Sequence, residues 1–117
     1  MSTDRQQDIR VSIEDVAPGA RIARVVIDNE RRLNSLNSAL MTRFVDAVQA
    51  LGSDASLRAV VVTGAGEKAF VGGADIDEMS RLENGEQARA FITRVHRCCN
   101  VLRELPVPVI ARIQGFT

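Results

Sequence analysis

From residue 9 to residue 14 the chain alternates apolar and polar side chains, with Ile9, Val11 and Ile13 set against Arg10, Ser12 and Glu14. That period of two predicts a half-buried strand. Pro18-Gly19 signals a turn. Residues 21–28 predict a second strand, more deeply buried at its Val25-Val26-Ile27 end, and the two runs read as an antiparallel pair. The polar stretch 28–37 is a connection. Asn37 is a helix cap: after it Leu40, Met41, Phe44, Val45, Val48 and Leu51 fall on one helical face, and Gly52 or Ser53 ends the helix. Residues 57–63 form an apolar run that predicts a buried strand. Asn84-Gly85 breaks the chain, and a long helix is expected from Glu86 through Leu105. Ala90, Phe91, Val95, Cys98, Cys99 and Leu102 supply its apolar face. Pro106 and Pro108 stop it, and residues 108–117 read as a last strand running into a loop.

Between the third strand and the long helix lies Ala69-Phe70-Val71-Gly72-Gly73-Ala74-Asp75-Ile76-Asp77-Glu78-Met79. Paired glycines mark a tight turn or a place where something approaches the backbone. Asp75 suits a helix N-terminus, which would leave the N–H of Ala74 and its neighbours at the positive end of a helix. Such donors can hold an oxygen that gains negative charge. A Gly-Gly turn between strand and helix is also an ordinary connector, so spacing alone does not make this loop a site.

Composition narrows the classes. The 117 residues are enough for one small domain with a core, and 45% hydrophobic with 26% charged residues is a normal globular balance. Fifteen basic and fifteen acidic residues give zero net charge, without a like-charge block. Nucleic acid and anionic membranes are therefore not expected partners, and no apolar run has the length of a membrane span. Residues 1–8 are polar, lack a signal-peptide core, and read as a disordered start. Cys98 and Cys99 are adjacent, cannot easily bridge, and read as reduced thiols of a cytoplasmic protein. No ligand cluster accompanies them, so no metal is expected. His96 has no visible partner for base catalysis and reads as a helix-surface residue. Lys68 lacks the full phosphate-loop pattern around it.

The stretch Phe70-Val71-Gly72-Gly73-Ala74-Asp75-Ile76-Asp77-Glu78-Met79 closely resembles the first signature of the enoyl-CoA hydratase/isomerase (crotonase) family. Two further matches occur in the right order: Leu33-Asn34-Ser35-Leu36-Asn37 is similar to the family's Ala-Leu-Asn-Ala-Leu loop, and Pro108-Val109-Ile110-Ala111 through Gly115-Phe116 to its Pro-Val-Ile-Ala segment. The resemblance implies an α/β fold of the crotonase type, a spiral of ββα units. Residues 9–117 would form the N-terminal portion of a single domain, ending before the turn that supplies the second oxyanion-hole donor and before the acid/base glutamates.

The implied chemistry is addition of water across the 2,3 double bond of an enoyl-CoA, with the thioester enolate held in an oxyanion hole. Ala74 would give one backbone N–H. Gly72, Gly73, Ala74, Asp75 and Ile76 would line the coenzyme A path, with Asp75 capping the helix or orienting the loop. Arg31, Arg32 and Leu33 would border the site, the arginines meeting coenzyme A phosphates. The loop is about one residue shorter than the family pattern and lacks its proline, so which arginine points inward is open. Asp77 departs from the lysine that several members carry there, and an acid would repel phosphate unless it points away. Glu78, Glu83 and Glu86 read as a solvated helix start rather than as catalysts. No cofactor is implied beyond the coenzyme A carried by the substrate. Full-length members usually form trimers or dimers of trimers. The alternatives are an isomerase or another acyl-CoA enzyme of the family, which differ in residues beyond Thr117, and a non-catalytic coenzyme A-binding fragment.

Overall fold

The computed structural model describes residues 7–117. Four strands make one sheet in the order β1-β2-β3-β4: β1 (Asp8–Ala17), β2 (Ala20–Asp28), β3 (Leu57–Gly64) and β4 (Val109–Arg112). β1 and β2 are the expected antiparallel hairpin, turning at Pro18-Gly19. β3 runs parallel to β2, and β4 parallel to β3. Parallel neighbours need crossovers, and helices supply both. α1 (Ser38–Leu51) joins β2 to β3, while a short α2 (Ile76–Ser80) and a long α3 (Gly85–Arg103) lie between β3 and β4.

The core sits between the sheet and these helices. Ala23, Val25 and Ile27 alternate inward from β2, and Val60 and Val62 from β3. They meet Met41, Phe44, Val45, Val48 and Leu51 of α1, and Phe91, Cys98 and Val101 of α3. A fully buried side chain of this size stabilises by about 1.5–3 kcal/mol, so the core is the main support of the fold. Asn37 caps α1 as expected, accepting the Leu40 N–H at 2.9 Å. Asn84 is also a cap, accepting the Gln87 N–H at 2.8 Å, so the Asn84-Gly85 break is the start of α3 itself.

Two expectations are corrected. Residues 1–6 of the segment expected to be disordered lie outside the described residues, but Asp8 opens β1 opposite Asp28. The Ile9 N–H, with the Arg43 guanidinium close by, holds the Asp8 carboxyl below its usual range and pins the strand start. On α3, Ala90 and Cys99 are exposed and Val101 is buried in their stead, because the stripe runs through Phe91, Val95, Cys98 and Leu102 and the first two only flank it. The last strand runs into a loop as expected; it is short and exposed along its length, since it lies at the sheet edge. A five-residue helix follows Asp75, which caps it as expected, between the glycine loop and the long helix. Among the described residues no helix is long and apolar enough to cross a membrane.

The two cysteines differ although they are neighbours. Cys98 is buried with its sulfur 3.8 Å from the Met41 carbonyl oxygen, and burial pushes its thiol up to about 11. Cys99 is exposed. At about pH 8, where reaction requires thiolate and access, a thiol reagent is expected to modify only Cys99 in the native protein and both cysteines in denaturant. Mass spectrometry of the labelled chain reads this directly. Rapid native labelling of Cys98 would contradict the packing of α3 on α1.

Candidate functional site

Two loops at one end of the sheet build a single structure. The first follows β2: Asn29, a 3-10 turn over Glu30–Arg32, then Leu33 and Asn34 in left-handed backbone at φ 55° and 57°. Asparagine tolerates that conformation better than most residues. Its side chain then holds the whole assembly. Asn34 Oδ1 accepts the Asn29 N–H at 2.8 Å, and Asn34 Nδ2 donates to the Ala65 and Ala69 carbonyls at 3.0 and 3.1 Å. Asn29 Nδ2 donates to the Ser35 carbonyl at 2.9 Å. Both asparagines are almost completely buried, and every polar group named here is paired.

The second loop is the glycine stretch, which pairs with the first as a short parallel bridge between Leu36 and Ala74. The Leu36 N–H donates to the Gly73 carbonyl at 2.8 Å, and the Asp75 N–H donates to the Leu36 carbonyl at 2.9 Å. In a parallel bridge the residue straddled by the two bonds turns its own N–H and C=O the other way. The Ala74 N–H is therefore directed away from Leu36, and Ala74 lines an open cleft of about 680 Å³. Asp75 caps α2, its Oδ1 accepting the Asp77 N–H at 2.8 Å and the Glu78 N–H at 3.2 Å.

The two glycines have different reasons to be glycine. A Cβ on Gly72 would lie 2.6 Å from the Leu33 carbonyl oxygen, so the two loops can touch only without it. A Cβ on Gly73 would meet nothing within 4 Å, but its φ of 92° is one that side chains rarely adopt. Of the two uses expected of paired glycines, the tight turn and the close approach, each glycine shows one within the chain itself. Gly72 clears space for the neighbouring loop, and Gly73 shapes the backbone just before Ala74.

The cleft brings together most of the residues singled out from the sequence. Arg31, Arg32, Leu33, Gly72, Ala74, Asp75 and Ile76 all line it, whereas Gly73 does not. Gln7, Asn29, Ser35 and Asp77 line it as well, and pattern reading did not assign them there. Asp77 does not stand as an isolated negative charge. The Arg32 guanidinium reaches across to it, Nη1 to Oδ2 at 2.6 Å, with Asp75 Oδ1 at 3.7 Å. This pair holds the Asp77 carboxyl below its usual range and the guanidinium above its own.

Glu78 is not the solvated acid that was expected. It is half-buried and accepts from both the N–H (2.8 Å) and the hydroxyl of Ser38, joining α2 to the first turn of α1. Glu83 and Glu86 are exposed, as is His96. Among the described residues no group of three or more His, Cys, Asp or Glu could hold a metal ion.

Comparison with known proteins follows the same residues. The family model described as enoyl-CoA hydratase/isomerase matches residues 18–117. The short-chain-enoyl-CoA hydratase of Clostridium acetobutylicum is 38% identical over 96 residues, covering 82% of this chain and 36% of that protein. The crotonyl-CoA hydratase of Syntrophomonas wolfei is 32% identical over 96 residues with the same shares. Among solved structures, an enoyl-CoA hydratase/carnithine racemase from Magnetospirillum magneticum superposes with a TM-score of 0.81 at 35% identity, covering 92% of this chain and 39% of that one. The chain thus spans little more than a third of the length of the relatives it matches.

Proposed function

The chain belongs to the enoyl-CoA hydratase/isomerase family, and from that premise we propose that its cleft binds the coenzyme A thioester of an enoyl-CoA for hydration of the 2,3 double bond. The observation that carries the reading is the Leu36–Ala74 bridge, which turns the Ala74 N–H away from its paired loop beside the cleft. In hydration, water oxygen bonds to C3 and a proton adds to C2. Negative charge rises on the thioester oxygen on the way. A fixed N–H aimed at that oxygen binds the enolate-like transition state better than the neutral thioester. One such donor is worth about 3 kcal/mol.

The remaining residues of the cleft fit the same reading. Arg31 and Arg32 sit together on the 3-10 turn, where guanidinium groups suit coenzyme A phosphates. Gly72 and Ile76 line the path to Ala74. The chain supplies the thioester-holding part of the reaction, and none of its own acids is assigned to proton transfer. A homo-oligomer and a cytoplasmic location belong to the proposal; the family resemblance favours the first and the two free thiols the second.

A second reading has an observation of its own. Both carboxylates in the cleft are engaged, Asp75 as a helix cap and Asp77 with Arg32, which favours a thioester-binding role without turnover by these residues alone. One experiment tests the shared core of both readings. The 15N-labelled chain is titrated with butyryl-CoA and, separately, with coenzyme A lacking an acyl group. The thioester should move the Ala74 amide resonance strongly, whereas free coenzyme A should shift cleft residues such as Arg32 and Ile76 but leave Ala74 nearly unchanged. An Ala74 resonance indifferent to the thioester would refute its role as the donor.

A further inference from the structure

We propose that Asp77 is an internal competitor for the guanidinium of Arg32, a latch across the cleft mouth that a phosphate group of the ligand must displace. The inference rests on the reading of the cleft as a coenzyme A site. It adds a specificity-setting residue that this reading does not contain.

Arg32 belongs to the 3-10 turn on one wall of the cleft, and Asp77 to α2 on the other. Their 2.6 Å contact is a direct side-chain bond between those two elements, with Asp75 at 3.7 Å from the same guanidinium. Both partners are about half exposed, 48% and 55% by side chain. Ion pairs in such a setting are weak, because water screens them and two long side chains must be ordered. The latch is therefore exchangeable rather than structural. A phosphate offers more charge than a carboxylate and matches the guanidinium fork equally well. Once displaced, the Asp77 carboxylate remains beside the incoming phosphate and repels it, so competition and repulsion act in the same direction. The surrounding frame does not depend on the pair. Asn34, the Leu36–Ala74 bridge and the Glu78–Ser38 contact hold the two walls without it.

The test is calorimetric titration of the chain with coenzyme A and with 3′-dephospho-coenzyme A, on wild type, Asp77→Asn, Arg32→Gln and the double variant. Circular dichroism monitors the fold of each. Asp77→Asn keeps the side-chain shape and removes the charge, and should bind coenzyme A roughly three- to fivefold tighter than wild type. The gain should shrink in the Arg32→Gln background, where relief of repulsion is all that remains. A gain confined to coenzyme A identifies the 3′-phosphate as the displacing group, and a gain shared by the dephospho ligand identifies the diphosphate. Either result supports the latch. Equal or weaker binding by Asp77→Asn would overturn it, as would a gain of undiminished size in the Arg32→Gln background. Absence of binding in every folded variant, wild type included, would overturn the coenzyme A reading itself and the latch with it.

Discussion

Asn34→Ala is expected to lower the unfolding free energy by about 3 kcal/mol or more, read by urea denaturation with an unchanged slope. The substitution removes three hydrogen bonds from a side chain that is 1% exposed. It also strands the Asn29 N–H and the Ala65 and Ala69 carbonyls in places where water must enter to replace the lost partner. Each net bond is worth about 1 kcal/mol, and a stranded buried group adds to that. Alanine further prefers not to adopt the φ of 57° found here, whereas asparagine tolerates it. Asn34→Gly separates the two contributions, because glycine accepts that backbone while making none of the bonds; it should recover about 1 kcal/mol of the loss. A total loss below about 1 kcal/mol would show that the loops are held by something other than Asn34, against a typical domain stability of only about 5–15 kcal/mol.

This hub shows where sequence pattern reaches its limit. The α/β architecture was legible, because periodicity reports which face of each element is buried. β1, β2, α1, β3 and α3 appear close to where period two or helical spacing puts them. The family resemblance carried the rest of the fold, and the chain is the N-terminal portion of a crotonase-type domain, as the family and structure matches show. The loops were legible as a place and not as a mechanism of assembly. Asn29 and Asn34 look like ordinary turn residues in a polar stretch, since nothing local says that one side chain will span to Ala65 and Ala69 across 31 and 35 residues. The available signal was an asparagine after an arginine-rich turn, in a position where a left-handed backbone could be expected. Glu78 was misread for the same reason: its partner, Ser38, is 40 residues away. Asp77 was recognised as unusual, but its pairing with Arg32 could not be read, because the two sit 45 positions apart on different walls.

The same contact between loops makes Gly72 the position where a single methyl group should most directly damage ligand binding. In Gly72→Ala the new Cβ would lie 2.6 Å from the Leu33 carbonyl oxygen, a backbone atom that cannot rotate aside. The loops must separate. The Gly72 N–H to Asn34 carbonyl bond, at 3.3 Å already longer than the bonds flanking Ala74, is the first expected to open. Movement there propagates to Gly73 and Ala74, the two residues whose backbone sets the direction of the proposed donor. A displacement near 1 Å is enough to spoil such alignment, so butyryl-CoA affinity should fall by about tenfold or more. Gly19→Ala is the control. It lies in the β1–β2 turn, outside the cleft lining; its Cβ meets nothing, and its φ of 72° should cost stability of about 1–2 kcal/mol while the Gly72–Leu33 contact remains. Binding titrations on both variants, paired with thermal unfolding, therefore separate two kinds of glycine. If Gly72→Ala is folded and binds the thioester as wild type does, the packing of the two loops does not aim the Ala74 N–H. If it loses affinity well beyond its loss of stability while Gly19→Ala does not, the geometry of the binding loop is set by the close approach of residues 33 and 72.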